Sequence, residues 1–149
     1  MDGLTDRIEL GVGIHAEAGQ VWRLVSEPDW FINQGAAAPP VITRVDAGRW
    51  VVRDERFGPF VIRTVGLRAP RYAAFRWEPV MRNGDTNAGW TLIEFWIEDQ
   101  GNALVSLRVR ESGFSWAGLT DEQRRDVLEG NAEGWEAALE AARSFLEHP

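Results

Sequence analysis

A single apolar stripe near the C-terminus is the feature that most limits what this chain can fold into. Its positions recur at steps of three and four residues and are Val127, Leu128, Asn131, Trp135, Ala138, Leu139, Ala142, Phe145 and Leu146. At about 3.6 residues per turn, they fall on one side of a helix of about seven turns. Thr120 and Gln123 form a capping box at the start of that helix. A long helix with one apolar side has to bury it against another layer of structure.

The residues before this helix can supply that layer, because most of them have the pattern of β-strands. Apolar and polar residues alternate over 8–14, and further segments of strand character are 41–45, 49–56, 60–67, 71–78, 90–98 and 103–111. A short helix is predicted over 16–26, with an aromatic turn at 29–32. Short turns between consecutive strands favour antiparallel pairing. The order predicts a single α+β domain over residues 1–149, in which a curved antiparallel sheet of about seven strands wraps around the long C-terminal helix.

Composition excludes several classes of function. The 149 residues include no cysteine, no lysine and only two distant histidines, so thiolate, Schiff-base and imidazole-pair chemistry have no residues to use. No phosphate-binding loop or nucleophile motif is present, so we expect no metal and no cofactor, and catalysis has little support. The net charge of −7 is unfavourable for binding nucleic acid. Without a membrane-spanning apolar run or a secretory signal, the chain is predicted to be cytoplasmic.

Five short motifs resemble, in the same order, those of a known superfamily. They are Val21-Trp22 with Pro28, Trp30-Phe31, Arg71 to Trp77, Ser112 to Phe114, and Gly134 to Leu139. The chain resembles the START-like or SRPBCC superfamily, and within it the branch named for the C-terminal domain of the heat-shock-protein-90 ATPase activator. The resemblance implies a helix-grip fold, with space between the sheet and the helix. The separate N-terminal domain of the eukaryotic co-chaperones is not expected here.

The aromatic residues are candidates for the lining of a hydrophobic cavity. Eight tryptophans exceed what a small core usually needs, because each buried indole N–H requires a partner. A bulky core and a cavity lined by indoles both remain open. The ligand-binding candidates are Trp50, Phe75, Trp77, Trp90, Glu94, Trp96, Asn131, Gly134 and Trp135. Because successive side chains of a strand point to opposite faces, we expect about half of the six aromatic candidates to point inward.

Glu94, the carboxylate among these candidates, has two alternative locations in the predicted fold. If the odd-numbered residues from Thr91 to Ile97 form the core face of their strand, Glu94 lies outside the sheet and pairs with Arg108. If the sheet faces the other way, Glu94 lies in the cavity between two indoles with a raised pKa.

Two glycines inside the predicted C-terminal helix also need a reason. Each costs about 0.8–1 kcal/mol relative to alanine. Either a close approach of the helix to the sheet or space for a ligand beside Trp135 would account for Gly130 and Gly134.

Three functions are compatible with these features. The first is a non-catalytic protein that binds an apolar or amphipathic small molecule between the sheet and the C-terminal helix. The second is a protein-interaction module, a bacterial co-chaperone-like relative of the activator domain, in which Trp30, Phe31 and Trp116 would form an exposed aromatic patch. The third is an enzyme that uses a cavity carboxylate such as Glu94. The chain is expected to be a monomer or a homodimer.

Overall fold

The structure, a computed structural model, describes residues 6–32, 41–54, 58–79, 90–114 and 120–148. Its elements are β1 (Arg7–Ile14), α1 (Ala18–Val25), α2 (Asp29–Ile32), β2 (Val41–Asp46), β3 (Arg49–Asp54), β4 (Gly58–Arg68), β5 (Tyr72–Pro79), β6 (Thr91–Gly101), β7 (Leu104–Ser112) and α3 (Asp121–Glu147). The seven strands form one curved antiparallel sheet and α3 follows them, so the fold is α+β and of the helix-grip type. No helix in these ranges is long and apolar enough to cross a membrane.

The strands lie across the sheet in the order β1-β7-β6-β5-β4-β3-β2. Neighbours from β2 to β7 are consecutive in the chain, and β1 pairs with β7 at the opposite edge. α3 packs mainly against β1, while α1 packs against β6 and β7. The helices therefore lie chiefly over one half of the inner face of the sheet, and β1 and β2 are its two edge strands.

The inner face of the sheet carries the core. The odd-numbered residues of β6 from Thr91 to Ile97 are buried, which confirms the predicted core face of this strand. α3 turns the central part of its apolar stripe toward this face, where Leu128, Trp135, Ala138, Leu139 and Ala142 are buried. The predicted stripe members Val127 and Phe145 are exposed. The predicted capping box is present at the start of α3, where the Thr120 side chain accepts a hydrogen bond from the backbone N–H of Gln123.

The aromatic side chains of α2 fill part of the space between α3 and the sheet. Phe31 lies with its ring centroid 5.1 Å from that of Trp135 and 5.7 Å from that of Phe95. The Trp30 ring lies 5.4 Å from Phe95. Both α2 residues belong to the core, so the prediction that they form an exposed patch is wrong, because α2 directs them inward. Trp116, the third member of that patch, lies outside the described residues.

The turn between β6 and β7 determines which residues face each other across the two strands. Asn102 and Ala103 both have φ values in the left-handed region, +56° and +57°, as in the two-residue type I′ turns of β-hairpins. An irregularity between Asp99 and Gly101 adds one unpaired residue to β6. As a result Glu94 lies opposite Arg110 and not opposite Arg108. The predicted Glu94–Arg108 pair is therefore wrong, because the residue opposite Glu94 lies two positions further along β7.

The two glycines of α3 lie on its exposed side. An added Cβ at Gly130 or at Gly134 would meet no heavy atom within 4 Å. Each residue of a helix is rotated by about 100° from the one before it, so Gly134 points away from the sheet although it adjoins buried Trp135. Neither explanation offered for these glycines, a close approach to the sheet or space for a ligand, is therefore correct.

Candidate functional site around Glu111

A buried carboxylate lies on the inner face of the sheet, near the end of β7. The inward-facing residues of this strand alternate, and after Val105, Leu107 and Val109 the next is Glu111. Its neighbours across the strands are Ile8 of β1 and Ile93 of β6. Only 5% of Glu111 is exposed. Strand alternation thus places an ionisable group among apolar side chains, facing α3.

Three side chains from two elements hold this carboxyl group. The Thr91 hydroxyl lies 2.6 Å from Oε2, within hydrogen-bond distance. The Trp135 indole Nε1 donates to Oε1 at 2.9 Å, and the Asn131 amide Nδ2 donates to the same oxygen at 3.3 Å. Asn131 and Trp135 are four residues apart and therefore neighbours on one side of α3. The carboxyl group consequently joins β7 to both β6 and α3.

The electrostatic environment of Glu111 is unusual because every partner is neutral. Among the described residues, no arginine or histidine forms an ion pair with it. Burial raises the pKa of Glu111, and the three hydrogen bonds from Thr91, Trp135 and Asn131 only partly oppose that effect. When the carboxyl is protonated, Oε2 can donate its hydrogen to the Thr91 hydroxyl, which can act as donor or acceptor. The site can therefore hold a proton to a higher pH than an ordinary glutamate does.

The outer face of the sheet holds buried carboxylates in a different way. Glu94 accepts a hydrogen bond from Nη2 of Arg110 at 3.0 Å and from the Tyr72 hydroxyl at 2.6 Å. Glu78 is held by Arg63 at 3.2 Å and by Arg76 at 3.1 Å. These carboxylates each have a cationic partner.

The phenol beside Glu94 has a strongly shifted pKa. Burial, and then the hydrogen bond and negative charge of Glu94, raise the pKa of Tyr72 to about 12. Neutral Tyr72 therefore remains a hydrogen-bond donor to Glu94 throughout the physiological pH range.

The structure divides the predicted ligand-binding residues between two surfaces. Those on the inner face or on the buried side of α3 are Trp50, Phe75, Trp77, Asn131 and Trp135. Trp77 stacks on Phe60, with ring centroids 3.9 Å apart and an angle of 13° between the rings. Of these residues, Asn131 and Trp135 contact Glu111 directly. Their role in ligand binding stays a prediction.

The other predicted residues do not face the interior. The outer-face residues are Trp90, Glu94 and Trp96, and Gly134 lies on the exposed side of α3. Trp90 lies under the guanidinium of Arg76, 4.1 Å from its ring centroid, and Trp96 contacts Arg108 and Arg110 in the same way. Glu94 and Trp96 are even-numbered residues of β6 and point away from α3, whereas Trp90 precedes that strand and contacts Arg76. Gly134 points away from the sheet. The structure therefore does not place these four residues in the interior as predicted. The proposed enzyme with Glu94 as its cavity carboxylate fails for the same reason.

Sequence reasoning missed the central residue of the site. Val105, Leu107 and Val109 form the core face of β7, and Glu111 is the next residue on that face. The signal was the period of two itself, which places Glu111 inside regardless of its charge. Thr91 had the same signal on β6, where it begins the confirmed core face.

Comparisons with known proteins show the fold of this chain. No family model matches it, and no curated protein matches it. A crystal structure of a protein from Chromobacterium violaceum aligns with a TM-score of 0.70 at 14% identity, covering 97% of this chain and 99% of that one. A solution structure of a protein from Arthrobacter aurescens aligns with a TM-score of 0.70 at 15% identity, covering 97% and 88%.

A third similar structure is a dimer in solution. The Aha1 dimer from Colwellia psychrerythraea aligns with a TM-score of 0.66 at 16% identity, and the match covers 95% of this chain and 96% of that one. At such identities these similarities show the fold alone. They support the helix-grip fold described above, a curved antiparallel sheet with a long C-terminal helix.

Proposed function

We propose that this protein binds a small apolar or amphipathic molecule between the sheet and α3, with the polar end of that molecule near Glu111. The observation that carries the proposal is a buried carboxyl group, held only by neutral donors, on the inner face of a helix-grip fold. Strongly perturbed ionisable groups cluster at functional sites. In this arrangement the polar group of the binding site is Glu111 on the inner face, and not the predicted Glu94, which lies on the outer face.

Packing alone gives no reason for a carboxyl group at this position. Taking a carboxylate out of water costs free energy, and an apolar side chain of similar volume would fill the same space without that cost. Trp135, which donates to Glu111, packs against Phe95, and Phe95 packs against Phe75, so apolar rings already continue from this site. A polar group kept in such surroundings suits recognition of one polar group on an otherwise apolar molecule.

The chemistry of the site favours a neutral polar group on the ligand. Protonated Glu111 can offer its hydrogen to a carbonyl or hydroxyl oxygen in place of Thr91. No cationic side chain of the described residues contacts Glu111, so an anionic group would meet no compensating charge there. A neutral molecule with one carbonyl or hydroxyl group is the class that the site fits.

Binding of a neutral apolar dye such as Nile red tests this proposal. We expect saturable binding by the native protein. Trp77→Ala, on the inner face, should weaken binding by about tenfold, because a large apolar contact is lost. Trp96→Ala, the matched change on the outer face, should leave the dye affinity unchanged. Absence of dye binding, or an equal loss in both variants, would contradict the proposal.

The pH dependence of dye affinity tests the role of the carboxyl group separately. In the native protein, affinity should change as Glu111 ionises, whereas Glu111→Gln should bind the dye with the same affinity at every pH at which the protein is folded. Mass spectrometry of an organic extract of the purified protein would identify any molecule that copurifies with it.

A protein-interaction module is the second candidate function. The likeness to the Aha1 dimer and the exposure of Val65 and Leu67 on β4 favour it. Calorimetric titration with a heat-shock-protein-90 chaperone, using native protein and Leu67→Asp, would test it. Heat of binding from the native protein that Leu67→Asp abolishes would support this function over ligand binding.

A further inference from the structure

The two edges of the sheet are protected very differently. On β1, the outer-face residues Arg7 and Glu9 are charged, and α3 packs against the strand. On β2, Val41 and Val45 are 62% and 45% exposed. No strand within the described ranges pairs with the free side of β2. β2 also carries Arg44 and Asp46, but Val41, Thr43 and Val45 are exposed, uncharged and β-branched, and an exposed edge of this kind is a site where another strand can pair.

We infer that a second copy of this chain pairs with β2, antiparallel to it, so that two sheets become one continuous sheet in a homodimer. The twofold axis passes beside Thr43. This surface is separate from the proposed ligand site, because four strands lie between β2 and β7. The inference therefore does not depend on the proposed function.

The sequence of β2 is self-complementary in this arrangement. When Thr43 lies opposite Thr43 of the partner subunit, Val41 lies opposite Val45 of the partner subunit, and the reverse pair also forms. Val41 and Thr43 lie on the outer face, opposite Arg53 and Val51 of β3, and Val45 is the exposed extra residue at the irregularity between Arg44 and Asp46. Cross-strand pairs of β-branched residues and threonine pairs stabilise antiparallel sheets.

The alternative registers are worse. A shift by one residue would place the outer face of one sheet beside the inner face of the other. A shift by two would either place Arg44 opposite Arg44 of the partner subunit or shorten the overlap. Pro39 and Pro40 precede the strand in the sequence and have no N–H with which to extend the ladder beyond Val41. The ladder therefore has one favoured register, which ends at Val45, beside the irregularity that β2 makes against β3.

A charge-exchange experiment tests this interface. Native protein should sediment as a dimer in analytical ultracentrifugation. The double variants V41K/V45K and V41E/V45E should each raise the dissociation constant by about tenfold or more, because like charges then lie opposite each other. An equimolar mixture of the two variants should dimerise again. Leu67→Lys changes a residue of similar exposure away from this edge and should leave the native dimer intact.

A single introduced thiol tests the register. The chain has no cysteine, so Thr43→Cys creates its only thiol. Directly opposed residues of antiparallel strands have Cα atoms about 4.5–5.5 Å apart, within the range of a disulfide. Mild oxidation should therefore crosslink Thr43→Cys into a dimer and leave Leu67→Cys monomeric on a denaturing gel. The inference would be overturned if the native protein were monomeric at every concentration, or if the mixed lysine and glutamate variants did not dimerise. Failure of Thr43→Cys to crosslink would also overturn it.

Discussion

Glu111 and Glu94 are almost equally buried in the same sheet, yet their surroundings differ completely. Glu111 is 5% and Glu94 is 8% exposed. Glu94 points outward, where Arg110 reaches it while a third of the arginine side chain stays in contact with water. Glu111 points toward α3, and its partners within the described parts of the chain are a hydroxyl, an indole and an amide. The burial of a carboxyl group alone therefore does not determine its electrostatic environment. That environment also depends on whether a cationic side chain can reach the group.

The difference depends on the face of the sheet on which each carboxylate lies. A long arginine can cover the outer face with its aliphatic part and keep its guanidinium hydrated, which makes a charge pair there inexpensive. Beneath α3 the same pair would require a second buried charge. The outer carboxylates are explained by their arginines, whereas Glu111 has no such explanation in packing and is the group for which a binding role is proposed.

The largest expected effect contrasts two tryptophans on opposite faces. Trp135→Ala should lower the free energy of unfolding by about 3–5 kcal/mol, because a buried ring is lost and Glu111 loses a donor. Trp96→Ala, on the outer face, should cost about 1 kcal/mol, the size of its contacts with two arginines. Urea denaturation of both variants measures the difference. Equal losses would show that the two faces do not differ as described.

The second contrast compares two glutamate-to-glutamine variants, whose free energies of unfolding should change in opposite directions. At pH 7.5, Glu111→Gln should raise the free energy of unfolding by about 1 kcal/mol, since the amide makes all three hydrogen bonds without a buried charge. Glu94→Gln should lower it by about 1–2 kcal/mol, because the charged partner of Arg110 is lost. A destabilised Glu111→Gln protein at this pH would contradict the description of the interior site.

The third prediction concerns the pH dependence of stability. Glu111 in the unfolded chain has its ordinary pKa of 4.5, and burial raises the pKa in the folded protein. The folded state thus binds the proton more tightly, so its stabilising contribution is complete below the ordinary value. That contribution is lost as pH rises through the raised value. The stability of native protein relative to Glu111→Gln should therefore fall as pH increases from 5 to 8, as measured by urea denaturation. A difference that is constant across this range would count against a raised pKa.

The smallest expected effect is spectroscopic and tests the hydrogen bond between Tyr72 and Glu94 on the outer face. Tyr72 is the only tyrosine, so its ionisation can be followed by ultraviolet absorbance without ambiguity. We expect a midpoint near pH 12, because burial and Glu94 raise its pKa to about 12. Glu94→Gln should lower the midpoint but leave it above 10, since burial is the larger cause. Circular dichroism recorded in parallel shows that the protein is still folded, and an unchanged midpoint would exclude the hydrogen bond.

The arrangement of elements could be predicted from the sequence because it depends on periodicity. The period of two in β6 identified its core face, and the three- and four-residue steps of α3 identified Trp135 as a core residue. Both patterns are local and repeat several times, so a single charged residue does not obscure them. The fold class, the antiparallel sheet and the cap of α3 followed from the same kind of pattern.

Which residues meet across the strands could not be predicted in the same way. The pairing of Glu94 with Arg110 depends on left-handed backbone at Ala103 and on one unpaired residue in β6, and neither has a clear signature in the sequence. The inward direction of Trp30 and Phe31 depends on where α2 is placed after the proline at position 28. Alternation places Glu111 inside, but it is the last inward residue of β7, where the pattern no longer repeats and a charged residue resembles an exposed strand end.

The burial of Glu111 also makes folding a proton-uptake reaction, because it raises the pKa of this side chain. Between the ordinary and the raised pKa, the side chain is ionised in the unfolded chain and protonated in the folded one. Each molecule that folds in this pH range removes a proton from solution, so refolding in weak buffer should turn the solution more alkaline. The calorimetric heat of folding should accordingly vary with the ionisation heat of the buffer. The neutral ligand proposed for this site accepts its hydrogen bond from the protonated form, so at a pH near the raised pKa its binding should take up a further proton, and proton uptake would report occupancy of the site without a label.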